Sequence, residues 1–146
     1  MFFGRKNDEG ILALKALGIP TGQGWWVRYP RRAIEEISKM AEGSNAHLDF
    51  RGSKMVFEEW ITTNLGTDCF ISLEADGFPH KMPKAFVKQP AIKTRKHLWS
   101  DDSLCLMEPS SYGSGTSILQ FRNLAAAWCF CYEVYINTGN WPAAEH

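Results

Sequence analysis

The sequence predicts a single α+β domain, in which helices flank an antiparallel sheet. Over residues 69–74 the apolar Cys69, Ile71 and Leu73 alternate with Phe70, Ser72 and Glu74, a period of two that indicates a strand of a sheet with one buried face. Residues 118–135 repeat their apolar side chains at steps of three and four, which indicates a long helix. The chain has 146 residues, 45% of them hydrophobic, which is enough for one core. We therefore predict one domain over residues 1–146.

Helices are expected before the sheet. Residues 8–18 have a short helical pattern that ends at Gly18. A clearer helix opens at Tyr29-Pro30, with the proline in its first turn, and ends at Gly43. The Trp25-Trp26 pair just before it is expected to be buried, since burial is the commoner fate of such residues.

The middle of the chain predicts three or so antiparallel strands. Extended segments over residues 48–61 break at Gly52-Ser53, and a further strand over residues 69–73 ends at the Asp76-Gly77 turn. A last short strand covers residues 85–87.

The remainder of the chain predicts a long loop and then the final helix. Residues 91–115 look irregular, and so long a loop is uncommon in a compact domain unless it carries function. Ser117 and Gln120 have the spacing of a helix-capping pair, and Gly139 is a natural C-terminal stop.

Composition argues against several classes of protein. The 16 basic and 16 acidic residues balance, so nucleic-acid binding is not the expected main role. No apolar run approaches the roughly 18 residues that span a membrane, and the first ten residues make a poor secretory signal. Cysteines at 69, 105, 129 and 131 lack the spacing of a disulfide framework, so we expect free thiols in the cytoplasm.

Cys105 is the candidate nucleophile. It lies in the long loop, eight residues after His97 and shortly after Asp101 and Asp102, where a thiol is more reachable than on a core strand. The alternative is that residues 104–106 (Leu-Cys-Leu) form an apolar plug, with the cysteine acting as a small hydrophobe. Two nearby carboxylates would also raise the pKa of a thiol.

The other cysteines and glycines do not predict a cofactor site. Cys129 and Cys131, two apart on a helix, point to different faces and cannot chelate a metal together, and Cys69 is expected in the core. No glycine-rich phosphate loop is evident. We therefore predict neither a metal nor another cofactor.

A basic segment runs from His80 to His97 and contains no acidic residue. It is either a docking face for an acidic partner or a solvated strand edge protected by lysines. Its basic residues are Lys81, Lys84, Lys88, Lys93, Arg95 and Lys96.

Residues 78–106 carry an ordered set of motifs. Phe78-Pro79, three residues and Pro83 resemble the aromatic-proline stretch of ubiquitin-conjugating enzymes, in which a strand, a histidine and a leucine-flanked active-site cysteine follow. Here His97 and Cys105 follow in that order and at about that spacing. The resemblance implies a ubiquitin-conjugating-like fold, with an N-terminal helix, an antiparallel β-meander, a long active-site loop and a C-terminal helix.

The C-terminal stretch is similar to the ending of bacterial ubiquitin-conjugating-like proteins of CBASS antiphage operons. The residues concerned are Trp128, residues 132–135, residues 138–142 and His146, whereas the first 60 residues match only in element order. The resemblance is to the stand-alone, short version of the system, without a separate activating enzyme. It implies that the C-terminal glycine of a cGAS-like nucleotidyltransferase is transferred through a thioester on Cys105 to an acceptor lysine.

One departure from the family pattern concerns the transition state. Leu98-Trp99 stand where the eukaryotic family has proline and asparagine, and that asparagine helps to stabilise the oxyanion or to order the loop. Ser100, Ser103 or a backbone N–H near Cys105 are the substitutes that we consider.

The expected roles of the remaining site residues are supportive. Asp101 or Asp102 is expected to orient the acceptor amine rather than to act as a base, because an aspartate has a pKa of about 3.9. His97 is expected to order the loop, and Lys93 or Lys96 is a candidate for modification. Two alternatives stay open: a binding module of the same fold without chemistry, and a thiol hydrolase that uses Cys105 and His97.

Overall fold

In the computed structural model, which describes residues 2–142 with side chains from Glu9 onward, three helices precede a four-stranded sheet and a long helix follows it. Met1 and residues 143–146, including His146 of the C-terminal motif, lie outside the described residues. The predicted α+β class is confirmed. The elements are α1 (Phe2–Ala16), α2 (Trp25–Arg28), α3 (Pro30–Gly43), β1 (His47–Arg51), β2 (Lys54–Thr62), β3 (Asp68–Asp76), β4 (Lys84–Gln89), a 3₁₀ turn (Pro109–Ser111) and α4 (Ile118–Thr138).

The sheet is an antiparallel meander in the order β1-β2-β3-β4. It has four strands rather than three or so, because the break at Gly52-Ser53 is a tight turn between two paired strands. Arg51 and Lys54 pair directly across it, and Gly52 has a φ of 61°, a left-handed conformation that suits glycine.

The helices before the sheet differ in part from the prediction. α1 starts at Phe2 rather than at residue 8, because the apolar pattern that revealed it begins only at Ile11. The one-turn helix α2 was not predicted. It buries Trp25 and Trp26, as expected, and both indole N–H groups donate to backbone carbonyls: Trp25 to Ala75 at 3.1 Å and Trp26 to Pro20 at 2.6 Å.

The core lies between the helices and the inner face of the sheet. β3 contributes Ile71 and Leu73, α3 contributes Met40, and α4 contributes Phe121 and Ala125, all of them nearly inaccessible to solvent. α4 begins and ends as predicted. Its N-terminus is capped by the hydroxyl of Ser117, which accepts from the Gln120 N–H at 3.1 Å, and its C-cap is the left-handed Gly139.

A buried carboxylate fixes the start of α4. Glu36 of α3 is fully buried, and it accepts from the Ile118 N–H at 2.7 Å and from Arg32 Nε at 2.9 Å. It therefore satisfies one of the backbone donors that the first turn of every helix leaves without an intrahelical partner.

Two more buried carboxylates attach α4 to the sheet. Glu59 of β2 forms a two-point ion pair with Arg122, at 2.9 and 2.8 Å, and Glu133 accepts from the Thr63 hydroxyl. Burial alone would raise the pKa of Glu59, but hydrogen bonds from Arg122 and from the Asn45 N–H outweigh it and hold that pKa below its usual value. Helix α4 is thus a fixed support for the segment that precedes it.

No helix among residues 2–142 is long and apolar enough to cross a membrane.

Candidate active site

The predicted irregular segment contains a short β-hairpin over residues 97–105, which we call the hairpin. Leu98 and Leu104 form an antiparallel bridge, and the Trp99 N–H donates to the Ser103 carbonyl at 2.8 Å. At the tip, the Asp102 N–H donates to the Trp99 carbonyl at 3.0 Å, and Asp102 has a φ of 71°. A turn followed by one left-handed residue is a common way to close a three-residue hairpin loop.

The hairpin brings His97 and Cys105 directly opposite each other. The Cys105 N–H donates to the His97 carbonyl at 2.8 Å, which continues the register of the Leu98–Leu104 bridge. The same carbonyl accepts from the indole N–H of Trp128 on α4 at 3.1 Å, and His97 has a φ of 60°. Two residues that lie eight positions apart in the sequence are therefore held together, and His97 anchors the pair to α4.

Cys105 is the one half-buried cysteine among the described residues. Leu104 and Leu106 on either side are 4% and 8% exposed, so the leucines form the plug while the thiol between them stays reachable. Burial, and then the nearby Glu108 carboxylate, raise the pKa of the thiol above its ordinary value of 9.0. The thiol is therefore mainly protonated at neutral pH.

The remaining three cysteines are buried free thiols. Cys69 is 2% exposed, which confirms its predicted place in the core, and Cys129 and Cys131 of α4 are 1% and 9% exposed. No cluster of three or more potential metal ligands occurs in the part of the chain that the structure describes.

Asp101 shapes the tip of the hairpin. Its carboxylate accepts from Lys84 Nζ at 2.7 Å and from the Ser103 N–H and hydroxyl at 3.0 and 2.5 Å. Lys84 first, and then Ser103, hold the pKa of Asp101 well below its usual range. Three hydrogen bonds and a lowered pKa thus favour the ionised form of Asp101, which makes it unsuited to take up a proton at neutral pH.

Asp102, in contrast, projects into solvent. Its side chain is 70% exposed and forms an ion pair with Arg95, whose guanidinium also donates to the Trp99 carbonyl at 3.2 Å. The two predicted aspartates therefore lie together at the tip of the hairpin but in different surroundings.

The expected substitutes for the family's asparagine are largely engaged elsewhere. The Ser103 hydroxyl donates to Asp101, and the Cys105 N–H donates to the His97 carbonyl, so either group would have to leave its present partner to reach an oxyanion. Ser100 lies exposed at the tip. Leu98 and Trp99, which replace the proline and asparagine, pair with the opposite arm of the hairpin.

Two grooves flank the hairpin, and Leu104 contributes to both. One, of about 480 Å³, runs between Leu98 and the segment from Ile92 to Arg95. The other, of about 300 Å³, lies between Trp99 and the residues that precede β4.

All six lysines and arginines of the basic segment are exposed, as both a docking face and a solvated strand edge require.

Several contacts that form the site were not predicted from the sequence. Lys84 and Arg95 belonged to the basic segment, but they hold the two aspartates of the tip. Trp128 and Trp141 were noted only as parts of the C-terminal motif, but both contact His97. The motif itself was the available signal, since it clusters aromatic residues in the second half of α4 and directly after it.

Comparison with models of protein families gives a match over most of the chain. A family model described as Type II CBASS E2 protein matches residues 34–146, which include the whole sheet, the hairpin and α4. No curated protein and no solved structure matches the chain.

Proposed function

Because this chain belongs to the family of type II CBASS E2 proteins, and so has a CBASS E2-like role in antiphage defence, we propose that it is a ubiquitin-conjugating-like transferase that carries an acyl group on Cys105. The observation that supports this most is the half-buried thiol opposite His97, in a hairpin anchored to α4, while the other three cysteines are buried. The proposed donor is the C-terminal glycine of a cGAS-like nucleotidyltransferase. The proposed acceptor is a lysine amine.

The proposed reaction has two acyl transfers. In the first, the Cys105 thiolate attacks the carbonyl carbon of the donor's C-terminus, the sulfur–carbon bond forms and the bond to the activating group breaks. A free carboxylate does not react in this way, so the donor must arrive as an acyl adenylate or a thioester. In the second, the acceptor amine attacks the same carbon, the sulfur leaves, and the amine proton passes to solvent or a nearby base.

The site residues are proposed to act by position. His97, opposite Cys105, orders the surroundings of the thiol, and Asp101 holds the shape of the tip through Ser103 and Lys84. Asp102 is the exposed carboxylate next to the site, so it can attract and orient an acceptor ammonium in competition with Arg95. Lys93 and Lys96 are exposed lysines close by in the sequence and remain proposed sites of self-modification.

A binding module without chemistry is the second candidate. The engaged Ser103 hydroxyl and Cys105 N–H favour it, because an oxyanion needs donors that are free to reach it. The two candidates differ in whether Cys105 ever becomes acylated.

Mass spectrometry of the protein co-expressed with the proposed nucleotidyltransferase partner and the other proteins of its operon, so that any activation of the donor is supplied, tests the proposal. We expect an adduct equal to the partner's mass less one water, on Cys105, that is released by dithiothreitol. Co-purification of the two proteins without an adduct would favour the binding module. An adduct that turns over to the free donor in water, with no amine needed, would favour the hydrolase.

The role of Asp101 gives a prediction on activity. The Asp101→Asn variant keeps a side-chain oxygen that can accept from Ser103, so we expect acyl transfer within about threefold of wild type. Asp101→Ala removes that acceptor and should lower the rate about tenfold by loosening the tip. Single-turnover transfer from the preformed thioester to free lysine measures both.

A control and the pH profile separate this role from that of a base. Lys84→Met removes only an exposed ion pair and should change the rate little. Since the pKa of Asp101 is held low, it stays ionised from pH 5 to 9 and should contribute no transition there, whereas formation of the thioester should rise with pH as the Cys105 thiol ionises. An Asp101→Asn variant as slow as Asp101→Ala would contradict the structural role.

A further inference from the structure

The chain folds back over the hairpin after α4. Gly139 ends the helix in a left-handed conformation, with a φ of 78°, and its N–H donates to the Tyr135 carbonyl at 2.7 Å. The Thr138 hydroxyl then accepts from the Asn140 N–H at 3.1 Å. This sharp turn directs Trp141 back towards the side of α4 that supports the active-site hairpin.

Trp141 stacks on the imidazole of His97. The two ring centroids are 4.2 Å apart and the ring planes differ by 23°. Trp141 also packs edge-on against Trp128, with the ring centroids 5.4 Å apart, and in a tilted arrangement against Tyr135, with the centroids 6.1 Å apart. The indole is thus held on two sides by α4 and presents a face to His97.

The backbone of His97 is anchored through other groups. Its carbonyl accepts from the Cys105 N–H and from the Trp128 indole N–H, and Trp141 takes part in neither bond. Loss of the Trp141 indole should therefore leave the hairpin in place and remove the ring that stacks on the imidazole. If Trp141 had only a packing role, its replacement would instead change the hairpin and the reactivity of the Cys105 thiol to the same extent with and without the His97 imidazole.

We propose that Trp141 is a positioning residue, which sets the orientation of the imidazole of His97, the residue whose backbone pairs with that of Cys105, and through it the reactivity of the Cys105 thiol. The segment after α4 then completes the active site from the far end of the chain. This inference rests on the proposed function in that it concerns the thiol proposed to carry the acyl group, but it is tested on the protein alone.

A double-mutant cycle on the reactivity of Cys105 tests it. The rate of alkylation of Cys105 by iodoacetamide is followed by peptide mass spectrometry in the full chain, with Trp141→Leu, Trp141→Phe, His97→Gln and the double variant Trp141→Leu/His97→Gln. We expect Trp141→Leu and His97→Gln to change the rate in the same direction by roughly 2- to 100-fold, the range found for coupled residues in contact. Trp141→Phe, which keeps a flat ring, should restore most of the wild-type rate.

The double variant decides between positioning and packing. If Trp141 acts through His97, adding Trp141→Leu to His97→Gln has no further effect on alkylation. Independent, multiplicative effects of the two changes, or an unchanged rate in Trp141→Leu alone, overturn the inference. Imidazole resonances of His97 in NMR spectra should also move in Trp141→Leu and much less in Trp141→Phe.

The test also separates the inference from the proposed function. A cycle with full coupling, in a protein that never forms the thioester with its partner, would leave the role of Trp141 standing and contradict acyl transfer. If the thioester forms but the two changes act independently in the cycle, acyl transfer stands and the role of Trp141 is contradicted.

Discussion

Replacing Cys105 is expected to have the largest effect on function. Cys105→Ala should lower formation of the adduct with the partner by at least about 10³-fold, because no other described thiol lies at the hairpin and the nucleophile of a covalent mechanism has no substitute. Cys105→Lys should instead give an amide-linked adduct that dithiothreitol does not release. Denaturing, non-reducing gel electrophoresis and intact mass spectrometry measure both results.

Two controls make this result specific. Cys131→Ala changes a buried thiol of α4 and should leave the adduct intact. Binding of the partner to Cys105→Ala, measured by calorimetry, should remain, since the change removes a single half-buried sulfur. If Cys105→Ala protected cells from phage as well as the wild type does, the enzymatic proposal would be contradicted and the binding module favoured.

The largest expected effect on stability is that of Glu36→Ala. We expect a loss of about 3 kcal/mol in the free energy of unfolding, because the change leaves the Ile118 N–H buried without its acceptor and removes the buried partner of Arg32. Glu36→Gln keeps an oxygen for the Ile118 N–H, so it should lose about half as much. Urea unfolding with a common m-value measures the three proteins.

The neighbouring Glu35 gives a matched control. It lies exposed on the same helix, so Glu35→Ala should alter stability by no more than about 0.5 kcal/mol. Equal, small losses for Glu35→Ala and Glu36→Ala would show that the contact with the start of α4 contributes little. The expected difference between two adjacent glutamates depends entirely on burial.

Much of the secondary structure was predictable because its signals are local. Pro30 and Gly43 bound α3, Ser117 caps α4, and the alternation over residues 69–73 marks β3, each through contacts within a few residues. Residue types also identified Cys105 as the candidate nucleophile, and the motif order led to the family that the comparison then supported. The number of strands was predicted only approximately, because a tight turn and a simple break look alike in one chain.

Partners distant along the chain were decided only by the tertiary structure. Arg122 with Glu59, Lys84 with Asp101, and Trp141 with His97 are separated by 63, 17 and 44 positions, and no local periodicity links them. The role of a carboxylate depends on the groups that surround it. Asp101 and Asp102 are adjacent and chemically identical, yet Asp101 accepts from Ser103 and Lys84 whereas Asp102, with 70% of its side chain exposed, pairs with Arg95. Burial and hydrogen bonding are properties of the packed chain, so the sequence names the groups able to react and the fold selects their roles.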